Sequence, residues 1–386
     1  MAPFYLDNAA STRINDDVLA AMTEVMKTAW GNPSAQHPQG AAARAYIETA
    51  RRRLLAAFGD PVEGSGGKTA GDIVWTSGCT EADALAVLGA ARTRPGSIVM
   101  SAIEHAAIAS LAERLGDRQA VQIAPGTDGM VSPAAFAEAA VGAAVVAIVL
   151  VQNEIGVVQP VAEIAAAVRR VNPTCHIHVD AAQAFGKVAI DARSLGADSI
   201  AIAAHKFHGP KGIGALWLRN GASLEPLWVG GGQQHGLRGG TQDAPNATGL
   251  GLAAEHAVAH LPAQRARWLG LAARITGHLA SRGVAFNQLV PDAHRSPHIL
   301  ALGFAGVPAP ALRTVLSSRG VYISTGSACA ERDGHGKPSP VLVAIGLPPD
   351  AGMCRLSFGH DTTDEDVDAA AQLLGDVALE LAARRP

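Results

Sequence analysis

HIHVDAAQAFGKVAIDARSLGADSIAIAAHKFHGPKGIGALWL, residues 176 to 218, holds three short apolar runs separated by turn-rich polar segments. The runs His176–Asp180, Ser199–Ala203 and Ile213–Leu218 have strand length and read as strands. Outward from them, Asp72–Thr76, Ser97–Ala102 and Ala144–Val151 repeat the signal, with helical patterns at Glu81–Ala91 and Val161–Val171 between. This alternation predicts an α/β fold, a mainly parallel central sheet flanked by helices. A long helical segment from about Ala247 to Arg282 then leads into a smaller α+β region, with strands expected at Pro297–Leu302, Val321–Ser324 and Arg355–Phe358. The expected organisation is a large domain over residues 15–258 and a small one formed by 1–14 and 259–386. Two Gly-rich segments, Glu63–Gly71 and Glu331–Gly336, are expected to be exposed, mobile loops.

The chain has 386 residues, 48% of them hydrophobic and 17% charged, enough for a sizeable core and too apolar for disorder. A formal charge of −3 gives no field that would draw nucleic acid or an anionic membrane, so a small molecule or a protein is the expected partner. The longest apolar stretch, Val141–Val151, is too short to span a bilayer. The start lacks a basic region followed by an apolar run, so no secretion signal is expected. Four cysteines, Cys79, Cys175, Cys329 and Cys354, lie far apart without a C-x-x-C, which predicts neither a zinc knuckle nor a disulfide framework and fits a reducing cytoplasm.

The chemistry concentrates where VDAAQ ends one strand and AHKFHGPKGIG follows another, since open α/β sheets place ligands at the carboxyl ends of their strands. A pyridoxal cofactor needs a lysine amine for its Schiff base and a carboxylate at its pyridine nitrogen. Lys206 and Asp180 supply that pair, Gln183 stands one turn on for the ring hydroxyl, and His205 is left for the phosphate. Taken singly, Lys206 also reads as a surface lysine and Asp180 as a strand-end cap. TSGCTEA, Thr76–Ala82, supplies a strand end, a Gly turn and a helix start carrying Cys79 and Thr80, a pattern suited to a phosphate and equally to an ordinary capped helix. His105, in SAIEHAAI, is placed to stack on a ring and to move protons with a pKa near neutrality.

In order, YLDNAAST, GNPSAQH, TSGCTEA, SAIEH, QNEIGVVQP, HVDAAQAFGK, AHKFHGPKG, GGGQQHGLRGGT and TGSAC resemble the motifs of the cysteine desulfurases, from about Phe4 to Asp368. That family belongs to the class V aminotransferases within the fold type I pyridoxal-phosphate enzymes. Gly326–Cys329 is similar to the iron–sulfur-assembly and nitrogen-fixation type, whose nucleophilic cysteine rides on a flexible loop. The resemblance implies that Lys206 carries pyridoxal 5′-phosphate, that Asp180 and Gln183 hold its ring and that His105 stacks on it. It further implies phosphate contacts from Cys79, Thr80 and His205, and from Thr241 of a second subunit in a homodimer. Asn153 and Arg355 match substrate-carboxylate binders, Asn8 is grouped with them as substrate-binding, and Cys329 matches the nucleophile. The implied reaction converts L-cysteine to L-alanine, leaves the sulfur on Cys329 as a persulfide with His105 as candidate base for the thiol, and delivers it to an acceptor protein.

Cys79, Cys175 and Cys354 retain a packing interpretation for their thiols. Two departures stand out: Ala203 occupies a position where the resemblance implies a phosphate-binding serine, and the segment after Cys329 is longer, with Glu331-Arg332-Asp333-Gly334-His335 in place of a Ser-rich sequence. Other readings are a selenocysteine lyase, a class V aminotransferase without need of Cys329, an inactive scaffold, a metal hydrolase built on His176-x-His178, and a dehydrogenase suggested by Gly249-x-Gly251-x-x-Ala254. No bound metal is expected, since the cofactor constellation accounts for Asp180.

Overall fold

The computed structural model describes residues 3–62, 68–114, 118–326, 339–348 and 351–383. The strands, in chain order, are β1 (Phe4–Tyr5), β2 (Gly71–Thr76), β3 (Ile98–Ser101), β4 (Ala120–Ile123), β5 (Val145–Val149), β6 (His176–Asp180), β7 (Ser199–Ala203), β8 (Gly214–Arg219), β9 (Asn287–Gln288), β10 (Ile299–Ala305), β11 (Val321–Tyr322) and β12 (Ala351–Ser357). Seven form one sheet in the order β2-β8-β7-β6-β5-β3-β4. β8 pairs antiparallel with both β2 and β7, and every other pairing is parallel. The mainly parallel α/β architecture expected from the apolar runs is therefore present.

β5, β6 and β7 are buried at every position because helices cover both faces. Successive side chains point to opposite faces. Ile177, Val179, Ile200 and Ile202 pack into one core, while Val145, Ala147 and Ala201 pack against the helix Cys79–Thr93 in another. Each such fully buried Val or Ile stabilises the fold by roughly 1.5–3 kcal/mol. At the start of β8, Gly214 permits a close approach: a Cβ there would lie 2.7 Å from the Gly78 Cα and 2.5 Å from the Ile202 oxygen. The turn after β2 and the strand before Lys206 are thereby held side by side.

A third core surrounds the antiparallel sheet β12-β10-β9, with Leu300, Leu302, Phe304 and Leu356 at its centre. β1 pairs in parallel with β11, and Leu6 is buried in this core while Ala9 belongs to the core of the large sheet. Residues 7–12 therefore run from one core to the other, directly beneath Lys206.

Three expectations need correction, and one strand was not foreseen. The long helix is two, Ala244–Ala259 and Leu261–Ser281, because Pro262 has no N–H and its ring collides with the carbonyl four residues back, so it sits at a helix start instead. β11 ends at Tyr322, and Ser324 makes only an isolated bridge to Arg355. β12 begins at Ala351 rather than Arg355; Gly352 masks the strand signal, yet it is needed because a Cβ there would meet the Val307 oxygen at 1.9 Å. β4, a half-buried edge strand, is too short and mixed to register as a pattern. Residues 63–67 and the segment Glu331–Gly336 lie outside the described residues, and Gly71 is the first residue of β2. Among the described residues no helix is long and apolar enough to cross a membrane.

Candidate active site

A cavity of about 540 Å³ opens at the carboxyl ends of β2, β5, β6 and β7. Lys206, Asp180, Gln183, His105, Cys79, Thr80, His205, Asn153 and Arg355 all line it, together with Ala203. Asn8 and Thr241 do not. Asn8 is buried with its Nδ2 donating to the Ser357 oxygen at 3.1 Å, and Thr241 is exposed before the helix Ala244–Ala259. Cys329 lies outside the described residues.

Lys206 ends the short turn Ala204–Lys206 that follows β7. Its Nζ donates to the Ala9 and Ala10 oxygens at 2.7 and 3.0 Å. Burial, helped by the Arg355 charge, brings its pKa down to about 8, so a sizeable minority of the amine is free at neutral pH. Two other lysines stand near. Lys211 lines the same cavity. Lys187 is lowered further, to about 7, by burial and by Lys206, but its Nζ donates to the Lys206 oxygen at 2.5 Å and it does not line this cavity. Geometry therefore selects Lys206, although titration alone would favour Lys187.

Asp180 closes β6, with Oδ1 accepting from the Ala182 N–H at 2.8 Å and lying 3.4 Å from the Cys79 Sγ. Burial and the nearby Asp180 and Asp83 carboxylates push the Cys79 thiol well up, so it is a protonated donor and not a nucleophile. Gln183 donates from Nε2 to the Ala9 oxygen at 2.7 Å, one of the two hydrogens its amide can donate. Cys79 and Thr80 open their helix, whose first-turn N–H groups have no intrahelical acceptor and concentrate positive potential on the cavity.

One histidine differs from its sequence reading. His105 caps the helix Ala106–Ala109, its Nδ1 accepting from the Ala107 N–H at 3.1 Å. The ring proton therefore sits on Nε2, and burial lowers its pKa rather than leaving it near neutrality. His205, lowered to about 4 by burial and by Lys206, Lys211 and Lys187, is a neutral hydrogen-bonding group whose Nδ1 lies 3.2 Å from the Ser11 Oγ.

The sequence reading missed what lies behind Asp180. His176, Ser199, His178 and Asp83 form a buried chain: His176 Nε2 to Ser199 Oγ 2.8 Å, Ser199 Oγ to His178 Nδ1 2.8 Å, and His178 Nε2 to Asp83 Oδ1 3.0 Å. The two imidazoles do share a strand face, but they serve this chain, and both have pKa values held down by burial. Burial, then Asp180 and Glu104, push the Asp83 carboxyl well up, and its Oδ2 is buried at the cavity wall without a partner among the described residues. A lone acid on the apolar face of an Ala- and Leu-rich helix was the available signal. Glu104 behaves similarly, pushed up to about 8 by burial while accepting from the Val149 N–H at 2.9 Å.

Arg355 is 3% exposed and enters from the other side. Nη1 donates to the Asn153 oxygen at 2.7 Å and Nη2 to Asp7 at 2.6 Å, while Nε is buried and unpartnered among the described residues. Such an arginine, anchored at one edge and open at another, is suited to a substrate carboxylate. Backbone hydrogen bonds join Arg355 to Ser324, so the chain heading toward residue 327 passes beside it.

The family described as aminotransferase class-V matches residues 4–370. A Cereibacter sphaeroides protein named cysteine desulfurase is 36% identical over 394 residues, which cover 100% of this chain and 98% of that protein. A Bos taurus protein named selenocysteine lyase is 33% identical, with 98% and 93% covered. A solved structure described as a NifS-like protein superimposes with a TM-score of 0.88 at 29% identity, over 98% of this chain and 100% of its own.

Proposed function

The chain belongs to the class-V aminotransferase family and is a cysteine desulfurase, and from that premise we propose the residues that do the work. L-cysteine binds at Arg355, Lys206 is the amine that holds pyridoxal 5′-phosphate, and Cys329 receives the sulfur. The observation that carries this is the meeting, around one cavity, of a lysine amine brought down to about 8, a carboxylate at the neighbouring strand end and an open helix N-terminus.

These residues fit the cofactor. Thr80, the first-turn N–H groups around Cys79 and the neutral His205 suit its phosphate, Asp180 its ring nitrogen, Gln183 its hydroxyl and His105 its face. When bound, pyridoxal phosphate supplies an aldehyde for an amine and a ring that takes up the electrons released at a substrate carbon. Arg355 orients the substrate carboxylate, and Asn153 stands beside it. With the cofactor and substrate bound, the Lys206 amine would be the base for the Cα proton, a role suited to a lysine whose burial lowers its pKa. The Cys329 thiolate would attack the substrate sulfur: an S–S bond forms as the Cβ–S bond breaks, the Cβ–S electron pair stays with the substrate carbon, and protonation of that fragment at Cβ and Cα gives alanine, leaving the persulfide on the enzyme. Because the His105 Nδ1 is engaged by Ala107, that imidazole accepts the thiol proton only by giving up this hydrogen bond.

The proposal extends to a homodimer in which each Thr241 completes the neighbouring site, a sulfur-acceptor protein of the kind that feeds iron–sulfur assembly, and a cytoplasmic location. The test is incubation of purified holoprotein with L-cysteine, following alanine and Cys329-bound sulfur by mass spectrometry. Both are expected in wild type, and Cys329→Ala is expected to retain cofactor and lose the persulfide. Alanine formed at an undiminished rate in Cys329→Ala would contradict the assignment. The same assay with L-selenocysteine separates the lyase reading, which requires activity with selenocysteine alone.

A further inference from the structure

Apart from the cofactor cavity, the structure has a second cavity of about 620 Å³ that adjoins the residues directly after Lys206. Phe207 and His208 line it, with His256 and His260 at the end of the helix Ala244–Ala259 and His360 just beyond β12. One potential ligand atom each from His208, His360 and Asp361 lies within 4.8 Å of the others.

His208 is prepared for a ligand role. It is buried, and its Nδ1 lies 2.8 Å from the Arg13 carbonyl oxygen, which can only accept, so the ring proton is on Nδ1 and the lone pair on Nε2. A backbone carbonyl fixing the far nitrogen in this way is the usual support of a metal-binding imidazole. Nε2 accepts a long hydrogen bond from the His360 backbone N–H at 3.3 Å, which a metal bound at Nε2 would displace. The two rings stand edge to face with centroids 3.8 Å apart.

We propose that His208, His360 and Asp361 form a site for one divalent first-row transition cation of the zinc class, independent of the reaction at Lys206. Two imidazoles and one carboxylate favour zinc over magnesium or calcium, which take oxygen ligands. Bonds of about 2.0–2.2 Å set ligand atoms roughly 3.3 Å apart, so the groups must close by at most about 1.5 Å. His360 and Asp361 are exposed and can make that adjustment by changing rotamer. Charge neither drives nor forbids binding. Asp16, Asp17 and Asp361 are set against Arg13, which pairs with Asp16, against Arg267, which donates to the His360 and Thr362 oxygens, and against Lys187. Ligand type, not a negative field, is what selects the ion. An occupied site ties the turn behind Lys206 to the strand end behind Arg355, stiffening the connection between the two sides of the active site.

The test is zinc titration of the cofactor-loaded protein against a chromophoric chelator, in a Cys329→Ala background so that this thiol does not compete. One equivalent per chain is expected, with affinity reduced at least tenfold in His360→Ala and in Asp361→Asn. Zinc is also expected to raise the melting temperature of the parent but not of His360→Ala. Both substituted side chains are exposed, so both variants should fold, and matching melting curves without metal check this. Absence of a stoichiometric site, or equal affinity in His360→Ala, overturns the proposal. So does a thiolate charge-transfer band when cobalt replaces zinc, since it would move the metal to a cysteine.

Discussion

Arg355→Lys separates carboxylate recognition from simple positive charge. Arg355 donates to Asn153 and to Asp7 and still has Nε free beside the cavity. A lysine offers one compact ammonium, which cannot hold both anchors and also present a planar pair of donors to a carboxylate. Losing one charge-assisted hydrogen bond in a buried setting costs about 1.5–3 kcal/mol. At 1.36 kcal/mol per tenfold change, kcat/KM for L-cysteine should fall roughly 10- to 150-fold. Because the carboxylate is bound equally in ground and transition states, most of the loss should appear in KM. Alanine formation over a range of cysteine concentrations measures this, with cofactor absorbance confirming equal loading. A kcat/KM within about threefold of wild type would refute the assignment of Arg355 to the substrate, and so would a loss traced wholly to poor cofactor retention.

Asp83→Asn should change stability by less than about 1 kcal/mol in urea unfolding, because burial already keeps the carboxyl protonated and Asn still accepts from His178; a loss beyond about 3 kcal/mol would mean that a charged Asp83–His178 pair is being broken. Covalent capture of added pyridoxal phosphate by apoprotein should climb with pH through a midpoint of about 8, where the lowered pKa leaves half of the Lys206 amine free; a midpoint near the ordinary lysine value of 10.5 would contradict the burial argument. Ala203→Ser adds a hydroxyl to the cavity wall and should slow cofactor loss on dialysis by the equivalent of one hydrogen bond, about 0.5–1.5 kcal/mol; an unchanged rate of loss counts against it.

What could be read from the sequence was what is local. β6 and β7 were legible residue for residue, because short runs carrying Ile and Val between turn-rich segments have strand length and strand composition. Asp180 and Lys206 could be placed together because one ends β6 and the other closes the turn directly after β7. Tertiary relationships were not. Nothing in the spacing of Asp83, His178 and Ser199 announces that they meet, since they come from a helix and two strands. Asn8 could be placed near the site by resemblance but not shown to turn its amide onto Ser357. The break at His260 was carried by Pro262 and obscured by strong helical patterning on either side. The lowered pKa of His105 depended on burial that only the fold supplies.

The central claim concerns which amine holds the cofactor, and three lysines stand close enough to compete: Lys206, Lys211 and the more strongly depressed Lys187. Borohydride reduction of the holoprotein followed by peptide mapping decides among them. The account predicts a stable pyridoxyl group on Lys206 alone; the group on Lys187 or Lys211, or on no lysine, would contradict it.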